Sequence, residues 1–158
     1  MQDGKAVQLL LNGEEHGHGH VVEKLLKRAE RLECLVAFAK ISAIGDLLKP
    51  LRKALEGGLK ARFAIGLDFY LTEPEALRQL FALAEKHALV LYLSNASDTF
   101  HPKIYAFQNG KQCSVIVGSA NLTHGGFYGN YEASALIDDA SGALMASVTR
   151  HLDALVAD

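Results

Sequence analysis

The residues in this chain best suited to chemistry are His101-Pro102-Lys103, then Gly118-Ser119-Ala120-Asn121, then Glu132. On an extended strand, residues two apart face the same way, so His101 and Lys103 can converge on one ligand. An imidazole titrates near neutral pH, which suits it to nucleophilic attack or proton transfer. The Lys103 ammonium can neutralise non-bridging oxygens. Ser119 and Asn121 offer neutral donors, and Asn121 stands where a short helix could begin. Gly118 lets a ligand approach the backbone closely. Glu132, opening a later strand, can return to the same corner. A nucleophile, a cation, neutral donors and a carboxylate are what binding and attacking a phosphate diester requires. Taken singly each has a plainer reading: Lys103 a solvated charge, Asn121 a helix cap, Glu132 an ion-pair partner.

The elements that must position these groups alternate. Ala6 to Leu11 reads as a strand, followed by a loop from Gly13 to Gly19. Helical spacing starts at Val21, with Val22, Leu25, Leu26, Ala29 and Leu32 on one stripe. Leu35 to Ala39 reads as a strand, and Leu47, Leu48, Leu51 and Leu55 mark a helix stopped by Gly57-Gly58. Arg62 to Leu67 is strand-like. Thr72-Glu73-Pro74-Glu75 predicts a helix capped by Thr72, with Glu75 completing a capping box and the helix reaching about Lys86. Leu89 to Leu93 is a strand. Lys103 to Phe107 and Ser114 to Val117 flank Asn109-Gly110, a hairpin signal. Tyr131 to Ile137 reads as a strand and Gly142 to Val156 as a closing helix. The expectation is an α/β fold: a mixed sheet of about seven strands flanked by helices on both faces, in one domain over residues 1–158.

Composition excludes several classes. Apolar residues make up 49% and charged residues 22% of 158 positions, which argues against disorder or coiled coil. No apolar run approaches the roughly 20 residues of a membrane span. The polar start Met1-Gln2-Asp3-Gly4-Lys5 does not resemble a secretory signal, so a cytoplasmic protein is expected. Net charge is −2, yet residues 21–62 carry +5 and the remainder −7. A polyanion would be met partly by this first half, where Lys24, Lys27, Arg28 and Arg31 form a basic stripe. Cys34 and Cys113 each sit in apolar runs and read as buried, unpaired thiols. His16, His18 and His20 alternate with glycine after Glu14-Glu15; flexible glycines preorganise a metal poorly, so a solvated loop is expected. His124 with Gly125-Gly126 could border a groove. Tyr128 and Tyr131 could stack on a base, although burial under the last helix is the commoner fate.

The stretch from His101 to Glu132 resembles the phospholipase D superfamily, whose signature reads HxKx4Dx6GSxN. HPK and GSAN are both present in order, and the family's acidic residue eleven positions beyond the Asn falls on Glu132. Gln108 stands where the signature has Asp, and the gap from His101 to Gly118 is 17 rather than 14. These departures resemble the metal-independent restriction endonuclease branch, as does the stretch from Gly66-Leu67-Asp68 to Ala76-Leu77, so the likeness covers at least residues 62–137.

The resemblance implies a mechanism. His101 attacks phosphorus to give a phosphohistidine. A second histidine protonates the leaving oxygen and then activates water. Lys103 and Asn121 hold the non-bridging oxygens with Ser119 in support, and Glu132 hydrogen-bonds an imidazole. Any role of the signature Asp is lost at Gln108 or taken over by Glu132. No metal and no cofactor is required. Only one HxK occurs, so a homodimer is expected to supply the second half-site. Nucleic acid, DNA first, is the expected substrate, with no membrane partner. The restriction-type relatives carry a specificity domain, so the chain reads either as a free-standing nuclease or as the catalytic piece of a longer protein with a specificity or helicase domain. A lipid phosphodiesterase or phosphatidyl transferase is the alternative enzyme, and a silent dimerisation or DNA-docking module the non-enzymatic one.

Overall fold

Apolar runs and amphipathic segments build eleven principal elements among the described residues of the computed structural model, which are 5–13, 16–95 and 97–157. Met1–Gly4, Glu14-Glu15 and Asp158, which entered the sequence reading, lie outside them. The strands are β1 (Lys5–Leu11), β2 (Arg31–Val36), β3 (Lys60–Gly66), β4 (Leu89–Ser94), β5 (Lys103–Asn109), β6 (Gln112–Gly118) and β7 (Ala133–Asp139). The helices are α1 (His18–Leu26), α2 (Ile41–Glu56), α3 (Pro74–Ala84) and α4 (Ala143–Ala157).

One seven-stranded sheet results, in the order β1-β7-β6-β5-β2-β3-β4. β2, β3 and β4 are parallel, joined by α2 and α3, whereas β1, β5, β6 and β7 pair antiparallel. The expected mixed sheet is therefore the observed one. α1, α2 and α3 share one face through Val22, Leu26, Ile44, Leu51 and Leu80, packed on Phe63, Tyr105 and Ile116. α4 covers part of the other, where Met145 meets Ala106 and Val115, and Leu152 meets Leu35 and Ala64. Across that face Glu33, fully buried, takes two hydrogen bonds from Arg62 at 2.8 and 2.9 Å and one from Arg31 at 2.8 Å. Arg62 also reaches Asp153 on α4 at 2.7 Å, so a charge pair with its donors satisfied locks the last helix to the sheet. Cys34 and Cys113 are free and buried, as expected.

Three local expectations are corrected. α1 begins at His18, not Val21, and ends at Leu26, so Leu32 belongs to β2. The early start has a remote cause: Asn12 Oδ1 accepts the His18 amide at 3.1 Å, capping the helix from six residues away. Thr72 does not cap α3. Pro74 occupies the first turn and places Glu73 at the cap position, with no side-chain cap bond. Thr72 Oγ1 instead donates to Gly66 O at 2.6 Å and accepts the Ala39 amide at 3.3 Å, tying β3 to the loop after β2. Glu75 pairs with Arg78 and Gln79 rather than closing a capping box.

Candidate active site

Strand direction decides which chain ends meet. β5 starts where β2 finishes, with Val36 opposite Lys103. β6 returns from the hairpin so that Val117 lies opposite Ile104, and β7 leaves with Ser134 opposite Gly118. One end of three adjacent strands thus gathers His101 and Lys103, Gly118 and Ser119, and Glu132. Asn109 pairs with Gln112 right up to a turn at Gly110, whose φ is +59°. The extra length between His101 and Gly118 is therefore taken up as paired strand, not as loose loop.

His101 is exposed and Lys103 half-buried. Lys103 Nζ lies 2.8 Å from His101 Nδ1, 3.1 Å from Nε2 and 3.1 Å from its carbonyl oxygen. An in-plane position that close to both nitrogens would drive Nζ into the ring carbon between them. The ammonium therefore stands over the imidazole face, and both ring nitrogens keep their in-plane directions. Burial lowers the pKa of Lys103, and the neighbouring Glu132 charge opposes that shift.

Asn121 is buried behind this pair, and its Oδ1 accepts the Phe38 amide at 3.3 Å. It caps no helix, contrary to expectation: the next helical turn is a single π turn at Gly125–Gly129. Ser119 Oγ donates to Glu132 Oε2 and accepts the Ala133 amide at 3.0 Å. Asn130 Nδ2 donates to Glu132 Oε1 at 3.2 Å. Ser119 thus anchors the carboxylate, and the partners of Glu132 within the described chain are Ser119 and Asn130, not an imidazole. Gly118 is required by close approach: a Cβ there would stand 2.3 Å from Ser134 Oγ and 2.4 Å from Ala133 O.

Against this geometry, residues 2–156 match the family model described as cardiolipin synthase, PLD-like domain. The chain belongs to this phospholipase D-like family. No curated protein matches it. Among solved structures it is similar to a phospholipase D family member, Nuc, from Salmonella typhimurium, with TM-score 0.71 and 18% identity over 93% of this chain and 91% of that one. NucT from Helicobacter pylori gives 0.64 and 17% over 94% and 96%. Phosphatidylserine synthase from Haemophilus influenzae Rd KW20 gives 0.73 and 19% over 97% of this chain and 39% of that one. At these identities the likeness is one of fold.

Within the phospholipase D-like frame, Gln108 is informative by its distance. It lies on β5 five residues beyond Lys103, roughly 17 Å away at about 3.3 Å per residue. A side chain there does not reach His101. Sequence reasoning missed the bracing roles of four residues, His18, Asn12, Asn130 and Asp68. His18 is 1% exposed, bonded through Nδ1 to Asn12 Oδ1 and through Nε2 to Ser134 Oγ, each at 2.7 Å. This corrects the solvated-loop reading. Asn12 and Asn130 share the network, and Asp68 Oδ2 accepts the Phe100 amide at 3.0 Å, fixing the residue before His101. Among the described residues no three His, Cys, Asp or Glu side chains group as a metal cage, and His16, His18 and His20 do not converge. His124 and Tyr128 lie ring to ring at 5.2 Å, while Tyr131 is fully exposed rather than buried under α4.

Proposed function

We propose that this chain is a nucleic-acid phosphodiesterase, an endonuclease of DNA, that works without a metal through a phosphohistidine at His101. The observation carrying this reading is an exposed imidazole with an ammonium on its face, set beside Asn121 at an open strand end. A ring nitrogen of His101 attacks phosphorus and a P–N bond forms as the P–O bond to the leaving oxygen breaks. That oxygen takes a proton from the imidazolium of a second copy's His101. Water then attacks phosphorus, giving a proton to the same imidazole, and the P–N bond breaks to release a phosphate monoester. Lys103 and the Asn121 amide stabilise the charge on the non-bridging oxygens.

Two surfaces support the partners in this scheme. Val7, Leu9 and Leu11 on edge strand β1 are 67%, 74% and 51% exposed, and with Val117 they continue an apolar stripe to Gly118. A second copy seated here would cover this exposed apolar face. The groove between β1 and α1 is lined by His16, His20, Lys24 and Arg28, with Asp138 beyond, and offers cations to a phosphate backbone.

The test is cleavage of single- and double-stranded DNA in EDTA by the purified chain, with His101→Ala abolishing it and 32P trapped on His101. Activity appearing only with Mg²⁺ refutes the scheme. Hydrolysis of phospholipid vesicles with DNA left intact assigns the site to lipid instead. Light scattering should give twice the chain mass, and Leu9→Asp should return it to one chain mass with loss of cleavage.

A further inference from the structure

The chemistry above leaves the buried His18 unused, yet its hydrogen bonds are fully determined. Asn12 Nδ2 donates to Gly126 O and to Asn130 O, each at 3.0 Å. Carbonyl oxygens only accept, so the amide's orientation is set and its Oδ1 faces His18. That oxygen takes the His18 backbone amide at 3.1 Å and the ring Nδ1 at 2.7 Å. Nδ1 therefore carries the proton. In the neutral ring Nε2 is an acceptor, and the Ser134 hydroxyl donates to it at 2.7 Å.

Both arms of this pair end on segments that hold Glu132. Asn12 grips the carbonyl of Asn130, and the Asn130 side chain binds Glu132 Oε1. Ser134 lies two residues after Glu132 and pairs with Gly118 across the β6–β7 ladder. Glu132 is bracketed at residues 130 and 134 by one imidazole and one amide. We propose that His18, together with Asn12, is a positioning residue that seats the Glu132 carboxylate. Its consequence for turnover rests on the phosphodiesterase reading; the positioning itself does not.

The experiment compares His18→Ala, which loses both arms, with His18→Asn, which keeps a donor toward Asn12, and His18→Gln, which reaches toward Ser134. The first readout needs no activity. The Asn130 amide is bonded to Gly125 O at 2.7 Å, and its hydrogen exchange should accelerate on the order of tenfold in His18→Ala while β2 and β3 amides stay protected. The second is kinetic: kcat on DNA should fall on the order of 10- to 100-fold with KM little changed, and each single-arm variant should fall less. In a Glu132→Gln background the same change should cost less than about twofold more. Unchanged exchange at Asn130, or full additivity with Glu132→Gln, overturns the proposal. If the parent chain does not cleave DNA, the functional reading fails while the exchange result still decides the positioning. If His18→Ala does not fold, the Asn and Gln variants carry both readouts.

Discussion

The Phe38 amide donates to Asn121 Oδ1 at 3.3 Å, which commits the amide oxygen to the loop after β2 and leaves Nδ2 as the side chain's donor. Asn121→Asp should therefore be a selective lesion. A carboxylate accepts the Phe38 bond equally well, so the melting temperature should stay within a few degrees of the parent. It replaces the donor proposed to hold a phosphate oxygen with an anion, and DNA cleavage should drop on the order of 10²- to 10³-fold. Asn121→Ala should lose the Phe38 bond as well and melt lower. Steady-state cleavage and thermal melts of both variants check this; equal activity of Asn121→Asp and the parent would take Asn121 out of the site.

Lys103 should set the alkaline side of the pH profile. Burial lowers its pKa, so its ammonium is lost at lower pH than that of an exposed lysine. Cleavage should fall on the alkaline side accordingly. Glu132 raises this pKa, so Glu132→Gln should move the alkaline limb to still lower pH in whatever activity is left. Lys103→Arg, which stays charged, should push the limb out of range if the fork is accommodated. The profile of kcat/KM against pH in the three proteins is the measurement, and a limb that ignores both substitutions would assign it to another group.

The sheet was legible because period-2 apolar runs and the Asn109-Gly110 turn act locally. That His101, Lys103, Gly118, Ser119 and Glu132 meet at one strand end was legible because His101 to Glu132 is one continuous stretch whose strands fold back on each other. Asn12, His18, Asn130 and Asp68 were not, for a physical reason. Asn12 meets Asn130 across 118 positions and His18 meets Ser134 across 116, and no periodicity marks such a contact. The glycines around His18 read as flexibility, whereas Gly19 packs against the Tyr128 ring and Gly17 starts a helix. Thr72-Glu73-Pro74-Glu75 misled in the opposite sense: its spacing fits a capping box, but Thr72 finds better partners in two backbone groups of other elements.

Gly118 is a steric requirement of the site. An alanine methyl would stand 2.3 Å from Ser134 Oγ, 2.4 Å from Ala133 O and 2.5 Å from Ser134 Cα. Two of these atoms are backbone, so β7 must move and take Glu132 with it. Gly118→Ala should cost about 1–3 kcal/mol of stability and depress cleavage further than that loss alone explains. Adding Ser134→Ala removes only the hydroxyl clash, so rescue should be partial at best. Urea melts and cleavage rates of the single and double variants decide it, and a fully stable, fully active Gly118→Ala would show that the β6–β7 ladder can open to admit a methyl group.

Acid should destabilise the protein in two separate windows. Burial holds His18 below its ordinary pKa, with Glu132 pulling the other way. The unfolded chain then takes up this proton more readily than the folded one. The stability gained is complete above about pH 6.5 and is lost as pH falls from there toward the depressed folded value. Asp139 titrates lower. The Ser141 hydroxyl at 2.6 Å and the Leu144 amide at 3.0 Å hold its carboxylate down to about 2. Its contribution is complete above the ordinary carboxylate pKa of about 3.9 and disappears as pH falls toward about 2. His18→Gln should flatten the melting temperature against pH in the upper window and leave the lower one alone. Asp139→Asn should flatten the lower window and, by weakening the start of α4, cost about 1 kcal/mol at neutral pH. Melts from pH 8 to pH 2 separate the two, because each substitution can only erase the slope that belongs to its own group.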